Sequence, residues 1–276
     1  MTHGVLVTIA YDGTAFAGWQ VQPGQRTVQA VLAAAASRIA HHEVVVRGAS
    51  RTDAGVHAEG QVAAFDTERA LSPRRWALAL NRYLPDDAAV RHAEACAPGY
   101  EPRFDALHKT YRYLFHTGTT RDPLSRTRVW RLGRLARHRL PDPNRLEGAQ
   151  PRLDFAAMHE TTRVLQGTHD FHAFRSADDT RTNTVRTLHR VELVERYAGD
   201  PDLLALYVNG DAFLKNMVRV LAGTLLAVGR GRLTPTDVAA LFGPDGNRDR
   251  GGVTAPAEGL TLVDVTLGRS RGPASR

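Results

Sequence analysis

The chain has 276 residues, 42% of them hydrophobic, with 36 Lys and Arg against 29 Asp and Glu for a formal charge of +7. That is ordinary globular material, long enough for one large domain or two small ones. A single cysteine, Cys96, excludes an intrachain disulfide and a Cys-based zinc site. The longest apolar run, Val220 to Val228 between Arg219 and Arg230, is too short to span a bilayer. The amino end enters a strand pattern at once, which predicts no signal peptide and a soluble, cytoplasmic protein. Lysine occurs only at Lys109 and Lys215. An arginine-dominated cation set suits bidentate phosphate contact, and equally a genome that favours arginine codons.

Val5, Val7, Ile9 and Tyr11 alternate and predict a strand ended by the turn Asp12-Gly13. Thr27 is positioned to cap a helix over Val28 to Ala40. A strand around Val44 to Val46, a charged loop, and a strand from Gln61 to Asp66 follow. Ser72-Pro73 starts a helix reaching Tyr83, and Ala88 to Ala95 is a further strand. This β-α-β-β-α-β order is that of a ferredoxin-like, split βαβ unit. The rest predicts a strand over Thr110 to Phe115 and a helix over Phe155 to Leu165. A hairpin of Thr187 to Arg196 with Leu203 to Asn209 comes next, then a helix over Leu214 to Val228, a short helix from Pro235 and a strand over Leu260 to Leu267. Two similar α+β halves, 1–100 and 101–276, are the expected division, with an Arg-rich insertion at about 121–152.

The charged loop is Arg51-Thr52-Asp53-Ala54-Gly55-Val56-His57-Ala58. Asp53 in an Asx-turn, bonded to N–H groups near Gly55, is the plain reading. Against it, an extended entry would put Arg51 beside Asp53, where a guanidinium favours the ionised carboxylate that a nucleophile requires. His57 reads as a polar loop residue or as a site residue. Lys109-Thr110-Tyr111-Arg112-Tyr113 places a cation and aromatics on one strand face, either as core packing or as a platform for a nucleobase. Lys215 and Arg219, at helical spacing, form a solvated stripe or a pair of phosphate contacts. His169 and His172 lack further ligands for a metal, and no glycine-rich phosphate loop precedes a helix.

Taken together, these segments resemble the tRNA pseudouridine synthase A family. The resemblance runs nearly end to end. It is carried by Tyr11-Asp12-Gly13-Thr14 with Phe16 and Gly18-Trp19-Gln20, by Thr27-Val28-Gln29, and by the Arg51–Ala58 loop. Further on it is carried by Arg103-Phe104-Asp105-Ala106, Lys109–Tyr113, Gly167–Phe171, Phe213–Arg219 and Gly259-Leu260. Ser50 and Asp105 depart from the residues usual there, glycine and serine. The resemblance implies two α+β halves sharing a mostly antiparallel sheet, with helices on one face and an RNA cleft on the other. It implies isomerisation of uridine to pseudouridine at tRNA positions 38, 39 and 40 by a homodimer that needs no cofactor. Asp53 would be the catalytic carboxylate and Arg51 its partner. Tyr111, His57, Leu260, Lys215 and Arg219 would bind substrate. Rival readings are a non-catalytic RNA-binding module, a carboxylate-dependent glycosidase, which would need a second acid, and a pseudouridine synthase aimed at another RNA.

Overall fold

The computed structural model describes residues 1–120, 122–133 and 153–268. Most of the Arg-rich stretch expected at 121–152 lies outside them; Arg126, Arg128 and Arg131 are described. The fold is mixed α+β. The first elements are β1 (His3–Tyr11), α1 (Val28–Ala40), β2 (Val46–Gly48), β3 (His57–Thr67), α2 (Pro73–Tyr83), β4 (Ala88–Cys96) and α3 (Pro102–Asp105). They are followed by β5 (Ala106–His116), β6 (Trp130–Arg131), α4 (Phe155–Leu165), β7 (Gly167–Asp170), β8 (Val185–Glu195) and β9 (Leu203–Gly210). The last are α5 (Met217–Gly229), α6 (Pro235–Ala240) and β10 (Leu260–Leu267). The strands form one ten-stranded sheet of order β4-β1-β3-β10-β5-β9-β8-β7, with β2 on β3 and β6 on β5. Pairing is mostly antiparallel; β10 on β3 and β6 on β5 are parallel.

Two compact units emerge, residues 1–110 with 261–276, and residues 111–260. The first thus extends ten residues past the expected boundary at 100 and takes in β10, whose Thr261 and Leu262 pair with His57 and Ala58 of β3. In this unit β1 runs between β3 and β4. Val28, Leu32 and Ala36 of α1 and Trp76 and Leu80 of α2 are completely buried, and the Phe65 and Trp76 rings meet edge to face at 5.1 Å. Each such large apolar side chain contributes about 1.5–3 kcal/mol by leaving water. Ser72 caps α2 by accepting the Arg75 N–H, as its sequence predicts. Thr27 stands at the start of α1 but makes no capping bond. The free N–H groups of Val28 and Gln29 instead donate to the carbonyls of Gly18 and Trp19, at 3.1 and 3.0 Å.

In the second unit β8 and β9 form the expected hairpin, with α4 and α5 supplying Met158, Leu165, Leu221 and Leu225 as buried side chains. Helix α5 begins at Met217, three residues later than its apolar spacing predicts, because Asn216 is left-handed at φ 60° and ψ 7°. The apolar positions foreseen for this helix are all buried, Leu214 included, although Leu214 precedes it. His169 and His172 do not share a helix; the first lies in β7 and the second opens a 3₁₀ turn.

Candidate active site

The Asp53 loop runs from the end of β2 to the start of β3 and is held by neutral, local bonds to the opening segment of the chain. Trp19 N–H donates to the Thr52 carbonyl at 3.0 Å, and the Tyr11 hydroxyl lies 2.7 Å from Thr52 Oγ1. On the loop's entry side the buried Gln61 amide donates to the Ser50 carbonyl at 2.8 Å. Beyond Asp53, Val56 N–H closes a turn onto the Asp53 carbonyl at 3.1 Å, and Gly55 N–H reaches the Phe16 carbonyl at 3.3 Å. The N–H groups of Gly55 and Val56 thus both reach backbone carbonyls. Gly55 has φ 79°, a left-handed turn position that favours glycine. Gly13 lets the opening segment approach so closely that a Cβ there would sit 2.1 Å from the Val56 carbonyl oxygen.

Asp53 is half-buried, Arg51 is exposed and Thr52 between them is buried. Among the described residues Arg51 forms no hydrogen bond or ion pair, so the expected Arg51–Asp53 pair is not made here. The chain brings the two residues onto one loop, but Arg51 is turned out to solvent. His57 is 4% exposed, and its Nδ1 accepts the Gly13 N–H at 3.0 Å. A ring nitrogen that accepts an N–H carries no proton, which places the imidazole proton on Nε2. Asp12 Oδ1 lies 3.3 Å from the same Nδ1. His57 thus braces the loop against the opening segment.

In the second unit Tyr111 is buried in β5, and its ring meets Phe213 edge to face at 5.0 Å and 78°. Two residues on, the Tyr113 hydroxyl donates to the Pro256 carbonyl at 2.8 Å, and its ring lies against Gly259, which sets the entry of Leu260 into β10. Burial and the nearby Glu258 push the Tyr113 hydroxyl well above the ordinary tyrosine range, so it stays a neutral donor. Lys109 precedes them on the same strand. Burial first, and the neighbouring Arg103 second, push its ammonium down to about 8.

Lys215 and Arg219 do not form one helical stripe, because the left-handed Asn216 separates Lys215 from α5. Lys215 Nζ bonds Asp178 at 2.6 Å in an exposed pair. Arg219 is held from both sides, its Nε donating to the Ala255 carbonyl and its Nη1 to Asn216 Oδ1, each at 2.7 Å. Among the described residues no group of three or more His, Cys, Asp or Glu is placed to hold a metal ion. The supporting roles of Tyr11, Gln61 and Phe213 are not visible in local patterns. The short Gly13 and Gly18 spacing before an apolar helix was the one signal of a close backbone contact there.

A family model described as tRNA pseudouridine synthase matches residues 7–105 and 162–266, ranges that contain Asp53, Lys215, Arg219 and Leu260 and omit Tyr111. Proteins named tRNA pseudouridine synthase A are similar over nearly the whole chain. That of Geobacter sulfurreducens is 42% identical, over 95% of this chain and 98% of its own length. That of Geobacillus kaustophilus is 41% identical, over 96% and 95%, and that of Bacillus velezensis 40%, over 95% and 98%. The chain belongs to the tRNA pseudouridine synthase A family, a family of isomerases.

Proposed function

We propose that this protein converts uridine to pseudouridine at positions 38, 39 and 40 in the anticodon stem-loop of tRNAs, acting in the cytoplasm as a homodimer. The reaction breaks the N1–C1′ bond, turns the uracil, joins C5 to C1′, and moves a proton from C5 to N1. It is redox-neutral and consumes no water. The observation that carries the reading is Asp53. Its half-buried carboxylate sits on a turn closed by the bonds from Val56 N–H to the Asp53 carbonyl and from Gly55 N–H to the Phe16 carbonyl, within a range that the family model matches. Preorganising a charged group in this way avoids reorganisation during the reaction.

In this reading the Asp53 loop and the Tyr111 strand each contact the tRNA. Asp53 acts on the ribose or on the uracil ring of a nucleotide taken out of its stack, which costs a few kcal/mol. Arg51, exposed and unpaired among the described residues, offers its guanidinium to the RNA and fills the place the nucleotide leaves. Tyr111 stacks on the uracil, Leu260 gives it an apolar wall, and Lys215 and Arg219 meet phosphates. His57 serves through the loop it braces. Modifying three neighbouring positions needs contact with backbone and shape more than base readout.

The test is mapping pseudouridine in total tRNA from cells lacking this chain. Loss at positions 38 to 40, restored by the wild-type gene, is expected. Unchanged tRNA with loss in another RNA would redirect the reading to that RNA. Replacing Tyr111 with Phe keeps the ring and removes the hydroxyl, so near-normal turnover would limit Tyr111 to stacking.

A further inference from the structure

The turn that carries Phe213 and Lys215 is gripped by an ion pair outside every motif of the family resemblance. The Asp179 side chain is 3% exposed and belongs to the loop before β8. Its oxygens meet Arg181 Nε at 2.8 Å, Arg181 Nη2 at 2.6 Å, and the backbone N–H groups of Arg181 at 3.1 Å and Lys215 at 2.8 Å. A carboxylate withdrawn from water this far is tolerated only when paired and fully bonded, and these donors hold it well below the usual carboxylate range. Arg181 reaches past Asp179, and its Nη1 donates to the Phe213 carbonyl at 2.9 Å. Ser176 N–H adds a bond to the Lys215 carbonyl at 3.0 Å. One charged pair thus grips the turn at the Phe213 carbonyl and at the Lys215 N–H. The same turn ends in the left-handed Asn216, a strained backbone for a residue with a side chain. It presents the Phe213 ring to Tyr111.

We infer that Asp179 and Arg181 are positioning residues that fix the Phe213 turn and, through the Phe213 ring, the tilt of Tyr111 under the target base. This rests on the proposed role of Tyr111 as the uracil's stacking surface. The pair works through Phe213 and not on the nucleotide. A misplacement of about 1 Å at a reacting base is enough to cost up to about a hundredfold in rate, so a clamp this tight matters for the rate.

The experiment uses the full chain and a tRNA transcript. The single-turnover rate at saturating tRNA, the tRNA Kd and the Tm are measured for wild type, Asp179→Asn, Phe213→Leu and the double variant. Asp179→Asn is expected to slow the wild-type background about tenfold, with Kd changed less than about twofold, and to slow the Phe213→Leu background less than about twofold, the non-additivity of residues acting as one unit. An equal loss in both backgrounds, or no loss in the wild-type background, overturns the clamp and leaves Asp179 as structural glue. If Asp179→Asn does not fold, Arg181→Lys, which keeps the charge and loses the two-sided fork, is read in the same backgrounds against the same two outcomes. Wild-type turnover separates the two claims. A wild type that forms no pseudouridine removes the functional reading, whereas an active wild type without the Phe213 dependence removes only the clamp.

Discussion

The Asp53 loop and the Phe213–Asn216 turn solve one mechanical problem with different forces. The loop is fixed mainly by neutral bonds among Tyr11, Thr52, Gln61, Phe16 and the backbone, with His57 bracing it beside Asp12, plus a contact at Gly13 too close for any side chain. The turn is fixed by the Asp179–Arg181 pair, with Asp178 and Lys215 joined alongside in solvent. Neutral bonds between enclosed groups neither titrate nor feel salt, whereas ion pairs do both. The backbone frame of the Asp53 loop is therefore less sensitive to salt than the Phe213 turn.

The largest effect expected from breaking this contrast is at Gly13. Gly13→Ala drives a Cβ to 2.1 Å from the Val56 carbonyl oxygen, so the loop must shift. A stability loss of about 1–3 kcal/mol and a rate loss of about a hundredfold are expected, read by thermal unfolding and single-turnover assay. Normal kinetics would mean that the backbone contact does not position Asp53.

Next in size is acid. The Asp179 carboxyl is held below its ordinary value, so the stability it contributes is fully present above the unfolded value of about 3.9 and is lost as pH falls below it. The Tm gap between wild type and Asp179→Asn should be constant from pH 7 down to about 4.5 and should close below about 4. A gap independent of pH down to 2.5 would contradict the charge-based grip.

Lys109 runs the other way. Its folded value of about 8 lies below the ordinary 10.5, so the unfolded chain holds the extra proton between these limits. Wild-type stability should rise relative to Lys109→Met as pH climbs through that window and stay level below it, by a few degrees in Tm at most. A flat difference across the window would place Lys109 in contact with water.

The smallest effect concerns Asp178, which holds the Lys215 ammonium in an exposed pair. Asp178→Asn removes that counter-charge, and tRNA affinity at low salt should rise by about threefold or less, fading at high salt. A loss of affinity would assign Asp178 a direct role.

Much of this was legible in the chain itself. The periodicity of Val28 to Ala40 and the Ser72-Pro73 start gave α1 and α2 to the residue, because a helix's apolar face and caps are local. The Asp53 loop stood out for its charge and its Gly55 between two strands. What stayed hidden depended on partners distant in sequence. Thr27 looked like a cap, yet the carbonyls of Gly18 and Trp19 take that role. The spacing of Lys215 and Arg219 suggested one helical stripe, which a left-handed Asn216 interrupts, in a turn bonded to Asp179 and Arg181 far upstream. Arg51 looked like a partner for Asp53 from their separation of two, but Thr52 between them is buried against Tyr11 and Arg51 faces solvent.

The central claim is that the Asp53 carboxylate performs the proposed isomerisation. Its most direct test is single-turnover conversion of a tRNA transcript carrying uridine at positions 38, 39 and 40, by wild type and by Asp53→Asn. Wild type should form pseudouridine at those positions. Asp53→Asn should bind the transcript within about threefold of wild type and lose at least about a thousandfold in rate, as removal of a covalent catalyst does. A variant that still makes pseudouridine at a comparable rate would contradict the account.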